Sequence, residues 1–243
     1  MKITAFIALF ILIIRQASAQ NKKSIQYKKK MNITQEQYTF KLNDKVTSQK
    51  VIFKTHYGIT LSGDLYLPKN KEDKLLSAIA ISGPFGAVKE QSSGLYANQM
   101  AENGFAALAF DPSYTGESSG KPRNVASPDI NTEDFSVAVD FLGLQKNIDR
   151  NKIGVIGICG FAGFALNAVA VDKRIKAVAT TSIYDMTRVM SRGYNDIVTA
   201  EQRAKTLELL GEQRWKDAEN GNFAPSSNNL PEKLTGTEPQ FVK

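Results

Sequence analysis

Hydrophobic and polar positions change rhythm several times along the chain, and each change marks an element. Residues 51–55 and 59–67 are short runs rich in β-branched and aromatic side chains, joined by His56-Tyr57-Gly58 and closed by Pro68. That arrangement predicts a β-hairpin. Residues 69–74 form a charged loop, and 76–82 (LSAIAIS) is a continuous apolar run ending at Gly83-Pro84. Such a run suits a parallel strand covered on both faces. Helical spacing over 92–103 stops at Gly104, and a strand over 105–110 is broken by Asp111-Pro112. Pro128 and Asn131 open a helix over 132–145, with Asn131 as its cap and Asp134 three residues on. Strand 153–158, helix 161–171 and strand 175–183 follow.

Strands that alternate with helices of this length imply crossovers and a parallel sheet clothed by helices on both faces. The expected fold class is therefore α/β: a mostly parallel, doubly wound sheet led by an antiparallel hairpin. After residue 183 the alternation stops. Residues 184–243 hold helical material over 200–220, which could cap a cleft, and then a polar tail.

Ahead of the regular region, Met1-Lys2 precedes an apolar run over 3–14, then Arg15 and the small-residue sequence Ala17-Ser18-Ala19. A basic start, a short apolar stretch and a small-x-small end predict a signal peptide over 1–19, and so export to a periplasmic or extracellular space. The alternative is an uncleaved anchor, although the run falls short of the ~20 residues of a comfortable membrane span. Residues 20–45 read as a basic, polar linker, and the domain proper is expected over 46–243.

Charge sharpens this division. The net charge is +7, yet residues 1–31 carry seven basic side chains and no acid, so the remainder is neutral. The globular part has no basic face for a nucleic acid. A single cysteine, Cys159, excludes an intramolecular disulfide and any multi-cysteine metal site, and no cofactor or metal is expected. A single histidine, His56, must serve any imidazole chemistry.

Chemistry concentrates where strand 153–158 runs into Gly157-Ile158-Cys159-Gly160-Phe161-Ala162-Gly163 and then directly into a helix. This is the strand–turn–helix context of a nucleophile elbow. Small flanking residues allow close backbone approach, and the positive end of the helix beneath would favour a thiolate. The Gly160 N–H would meet a developing oxyanion, and loop 82–86 would supply a second donor. Pro84 has no N–H, so Phe85 is the candidate, with Gly86 next. The motif departs from G-x-S-x-G twice, with Cys for Ser and Phe161 at the last position. The plainer alternative is a small residue buried at a tight turn.

Together these residues resemble the α/β-hydrolase superfamily, and most closely its dienelactone-hydrolase-like branch, in which a cysteine is the nucleophile. The stretches SGPFGAVKEQSSGLYA, FDPSYTGESSG, NVASPDINTEDFSVAVDFLG, GICGFAG and YDMTRVM resemble bacterial YcjY-type hydrolases, over about residues 50–195. The resemblance implies hydrolysis of small-molecule carboxylic esters or lactones, with Cys159 attacking the carbonyl and Gly160 and Phe85 stabilising the oxyanion.

In that superfamily the acid and histidine follow the nucleophile, whereas no histidine follows Cys159 here. His56 belongs to the leading hairpin, where it reads as a surface residue. Asp185 could orient an imidazole or simply serve its loop. The expectation is an incomplete α/β-hydrolase sheet lacking its last strands and their catalytic loops, with reduced or absent activity and an apolar edge prone to self-association. A non-catalytic binding or scaffold remnant is the competing function. A redox-active thiol is a third, weakened because the chain has no resolving cysteine.

Overall fold

The structure is a computed structural model that describes residues 38–70 and 75–225. The expected signal peptide over 1–19, most of the linker and the end of the polar tail lie outside the described residues. The chain divides into two compact units, one through Asp185 and one from Met186.

In the first unit, β1 (Val46–Lys54) and β2 (Thr60–Pro68) pair antiparallel, from Val46 opposite Pro68 to Lys54 opposite Thr60. The turn closes by Thr55 N–H donating to the Ile59 carbonyl at 2.9 Å, with Gly58 at φ +79°. The hairpin is thus where the pattern places it, but β1 starts five residues before the expected position 51. Its first half, VTSQK, is polar, and pairing with β2 rather than apolar content makes it a strand. Residues 38–45, the end of the expected linker, lie against the domain. Thr39 N–H donates to the Glu90 carbonyl at 3.1 Å, and Asn43 N–H to Asn98 Oδ1 at 3.1 Å.

The remaining strands are β3 (Leu76–Ser82), β4 (Ala106–Phe110), β5 (Ile148–Ile158) and β6 (Ile175–Thr181), with helices α1 (Ser92–Glu102), α2 (Pro128–Gly143) and α3 (Phe161–Val171) between them. The sheet order is β1-β2-β4-β3-β5-β6. β2 meets β4 antiparallel, while β4, β3, β5 and β6 run parallel. This is the mostly parallel, doubly wound sheet with a leading hairpin that the alternation implies.

Alternate residues of each strand serve opposite faces. Leu108 and Phe110 of β4 join Ala78, Ala80, Val155, Phe135, Phe161 and Phe164 in the larger core, built on α2 and α3. Ala107 and Ala109 join Ile81, Ile156, Ile158, Ala97 and Ala101 on the α1 face. The central strands are therefore apolar at every position because both faces are covered.

Three further boundaries differ from expectation for physical reasons. β5 begins at Ile148, five residues ahead of 153, because the polar stretch after Ile148 is carried along by pairing with the start of β3, where Leu76 lies opposite Ile148. α2 begins at Pro128 after Ser127, so Asn131 is not its cap. Proline suits the first helical position, where no N–H is needed. Asn131 is buried in the first turns: its Oδ1 accepts the Ser127 N–H at 2.9 Å and its Nδ2 donates to Asp134 at 3.0 Å. β6 ends at Thr181, two residues early, and Ser182 turns off at φ +48°.

The second unit comprises α4 (Met186–Arg192), a 3₁₀ turn (Tyr194–Asp196) and α5 (Ala200–Asn220). Thr199 caps α5 through a reciprocal box with Gln202, at 3.2 and 2.8 Å, and Gly221 ends it at φ +62°. None of its helical residues is buried. Among the described residues no helix is long and apolar enough to cross a membrane.

Candidate functional site

β5 delivers the chain into a sharp turn. Cys159 adopts φ +56°, a left-handed conformation that non-glycine residues rarely take and that costs about 1–2 kcal/mol. Three backbone hydrogen bonds hold it there. Its N–H donates to the Thr181 carbonyl at 2.9 Å, and its own carbonyl accepts Ala162 N–H at 3.1 Å and Tyr184 N–H at 3.3 Å. The turn is thereby tied both to α3 and to the segment leaving β6. Asp185 follows Tyr184 directly, so the candidate acid adjoins a residue bonded to the elbow.

Glycine is obligatory at two nearby positions. A Cβ at Gly157 would stand 2.6 Å from Ala162 Cα and 2.7 Å from the Phe161 carbonyl. A Cβ at Gly83, itself at φ +100°, would strike the Ile158 carbonyl and lie 2.9 Å from Phe161 Cβ. Sheet order makes β3 and β5 neighbours, so the loop leaving β3 presses on the elbow. Gly163 has open space around it, so unlike Gly157 and Gly83 it is not required to be glycine by its surroundings; the fifth motif position is Phe161. Phe161 there is buried and packs on Phe164, with ring centroids 5.1 Å apart.

Of the expected site residues, Cys159 is partly buried at the turn, and Gly160 opens α3 as its N-cap. Phe85 sits on the loop beyond Gly83, its half-exposed ring 6.5 Å from that of Phe161. Among the described residues the Gly160 and Phe85 N–H groups have no carbonyl partner. His56 is not brought in. Its side chain is 81% exposed on the β1–β2 turn, with Nδ1 2.7 Å from Glu133 of α2. β2 lies three strand spacings from β5, roughly 14 Å, so the imidazole is out of reach of Cys159.

A buried charge cluster beside this site was not singled out from the sequence. Lys89 has no exposed side-chain surface, yet its Nζ reaches Asp111 at 3.0 Å, Glu117 at 2.7 Å and Glu90 at 2.5 Å. Burial opposes its charge, but the Asp111 carboxylate and the hydrogen bonds to Glu117 and Glu90 outweigh that and raise its pKa. Burial also pushes the Glu117 carboxyl up, but hydrogen bonds from Lys50 and Lys89 bring it down to about 2. Asp64 and Asp134 differ, since burial dominates and pushes each up to about 6. The available signal was an acid placed directly after the wholly apolar run AALAF. Among the described residues no group of three or more His, Cys, Asp or Glu could hold a metal ion.

Comparison with known proteins agrees with this architecture. Over 215 residues the chain is 65% identical to PA2218, an uncharacterised protein of Pseudomonas aeruginosa, covering 87% of this chain and 57% of that protein. The PA2218 crystal structure superposes with a TM-score of 0.80 at 64% identity, covering 88% of this chain and 67% of that one. YcjY of Escherichia coli K12 is 39% identical over 167 residues, covering 68% of this chain and 55% of that protein. The chain thus spans little more than half the length of these relatives. The α/β hydrolase GrgF from Penicillium sp. sh18 shares the fold, with a TM-score of 0.65 at 24% identity over 76% of this chain and 60% of that one. The X-Pro dipeptidyl-peptidase (S15 family) model matches residues 57–240. The chain belongs to that family, and with it to the α/β-hydrolase fold.

Proposed function

We propose that this chain carries the nucleophile of a hydrolase acting on small carboxylic esters or lactones, with Cys159 as the attacking group. The observation that supports this most is the left-handed Cys159 at a strand–helix turn, with Gly157 and Gly83 packed too closely for any side chain. Strain of this kind persists where the surroundings over-determine it, and it clusters at reactive sites.

In the reading we favour, the Cys159 thiolate adds to the ester carbonyl, a C–S bond forms, and the π electrons move to oxygen. The Gly160 and Phe85 amides stabilise that oxyanion. Its collapse breaks the C–O bond and expels the alkoxide or, in a lactone, frees the ring oxygen, leaving an acyl-cysteine. Water must then release the acyl group, and that step needs a base. The chain's one histidine lies on the β1–β2 turn beside Glu133, with β2 three strand spacings from β5, so acylation outpaces deacylation and turnover is slow. The same observation favours a second reading, a binding protein that retains the cleft without the chemistry. Export guided by residues 1–19 belongs to the proposal and is checked by cell fractionation.

p-Nitrophenyl acetate separates the two functions. We expect a burst of p-nitrophenolate near one equivalent per chain, followed by slow turnover, with the burst absent in Cys159→Ala. Equal traces from both proteins would exclude Cys159 as nucleophile and leave the binding reading.

A further inference from the structure

We propose that Lys89 and Asp111 are positioning residues, a buried ammonium–carboxylate clamp that fixes loop 83–91 against the elbow and so sets the Phe85 amide beside Cys159. This inference rests on the nucleophile reading of Cys159 and names what holds the carbonyl-binding loop in place.

The loop is fixed at both ends and short between them. At its start, Gly83 is wedged against the Ile158 carbonyl and Phe161 Cβ. In its middle, Ala87 N–H donates to the Pro84 carbonyl at 3.1 Å and Gln91 N–H to the Val88 carbonyl at 3.0 Å, so the turn carrying Phe85 has little slack. At its end, Asp111 takes Lys89 by both backbone and side chain. Oδ1 accepts the Lys89 N–H at 2.7 Å, and Oδ2 accepts its ammonium at 3.0 Å.

The clamp also has a floor. Asp111 is the first residue after β4, and its Oδ2 additionally accepts Glu117 N–H at 2.9 Å. No side chain fits at Gly116, where a Cβ would collide with the Asp111 carboxylate. Glu117 bonds Lys89 from the other side and is itself held by Lys50 of β1 at 2.6 Å and Ser62 of β2 at 3.0 Å. One carboxylate therefore registers two loops at the carboxyl end of the sheet, with three strands behind it. Apolar side chains could fill the same volume, but charge-assisted hydrogen bonds are directional and specify where a backbone segment stops.

Two reagents that react at the same sulfur make the test. Acylation by p-nitrophenyl acetate builds an oxyanion. Alkylation by iodoacetamide forms a C–S bond as iodide leaves a saturated carbon, and it needs no oxyanion donor. Lys89→Met should slow the acylation burst at least about tenfold, as loss of an oxyanion donor does, and leave Cys159 alkylation within about twofold. Glu117→Gln keeps the Lys89–Asp111 pair and should slow acylation only about twofold to threefold; it also serves if Lys89→Met does not fold. Hydrogen exchange is read in parallel and should accelerate over 83–91 but not over α3.

Unchanged acylation in these variants overturns the clamp. So does an equal fall in acylation and alkylation, which would mean that the whole elbow has loosened. If the parent chain shows no Cys159-dependent burst, the nucleophile reading fails by itself. Exchange then decides the clamp: acceleration confined to 83–91 supports it, and an unchanged profile overturns it.

Discussion

β4 and β6 are both short apolar strands on a line through the sheet, and they meet opposite fates. Every residue of β4 (AALAF) is buried, with β2 and β3 on its sides, α1 on one face and α2 on the other. In β6 (IKAVATT) only Ile175 is buried, and among the described residues β5 is its one strand neighbour. Apolar content makes both strands possible. Burial comes from neighbours, and neighbours come from topology.

The comparison breaks most visibly in stability. Leu108→Ala in β4 should cost about 3 kcal/mol, because the side chain is fully enclosed and its cavity cannot collapse. Val178→Ala in β6, where the residue is 37% exposed, should cost less than about 1 kcal/mol. Urea denaturation compares the two, and equal losses would mean that β6 is as enclosed as β4.

A smaller effect comes from charge. Asp64 of β2 is buried opposite Ala109 of β4, with Tyr38 Oη donating to its Oδ2 at 2.6 Å. Burial pushes its carboxyl up to about 6 from the usual 3.8, although the Tyr38 hydrogen bond works the other way. The folded state thus holds a proton that the unfolded state releases between about pH 4 and 6. The associated stability is present below pH 4 and lost as pH rises through 6. Relative to Asp64→Asn, the parent should lose about 2 kcal/mol between pH 4 and pH 7. An unchanged difference in urea midpoints would show that Asp64 ionises as it does in water.

The smallest effect concerns the β6 edge, which has no further strand beside it among the described residues. Unpaired strand edges promote association, and a charge placed on them opposes it. We propose that the chain self-associates through this edge, in which case Val178→Lys shifts sedimentation toward monomer while changing stability by less than about 0.5 kcal/mol. Self-association that persists unchanged would move the contact away from β6.

Much of this was legible in the sequence. β3 and α3 lie where the pattern puts them, because Gly83-Pro84 and the Gly157–Gly160 turn are local punctuation. The first half of β1 was not legible, since Val46 to Lys50 become a strand only through β2. Nor was the Lys89 cluster: KE at 89–90 and DPSYTGES at 111–118 read as polar loops, and their burial requires two loops to meet after crossing the sheet.

The sequence alone determined the strand–helix alternation, the basic segment separate from a neutral domain, and Cys159 as the residue at the elbow. These are consequences of spacing and side-chain type within a few residues. Tertiary structure decided the strand order, which sets Gly83 against Ile158, leaves His56 three strands from the thiol, and closes Asp111 over Lys89. Contacts between segments far apart in the chain depend on which faces pack together, and no local pattern encodes that choice.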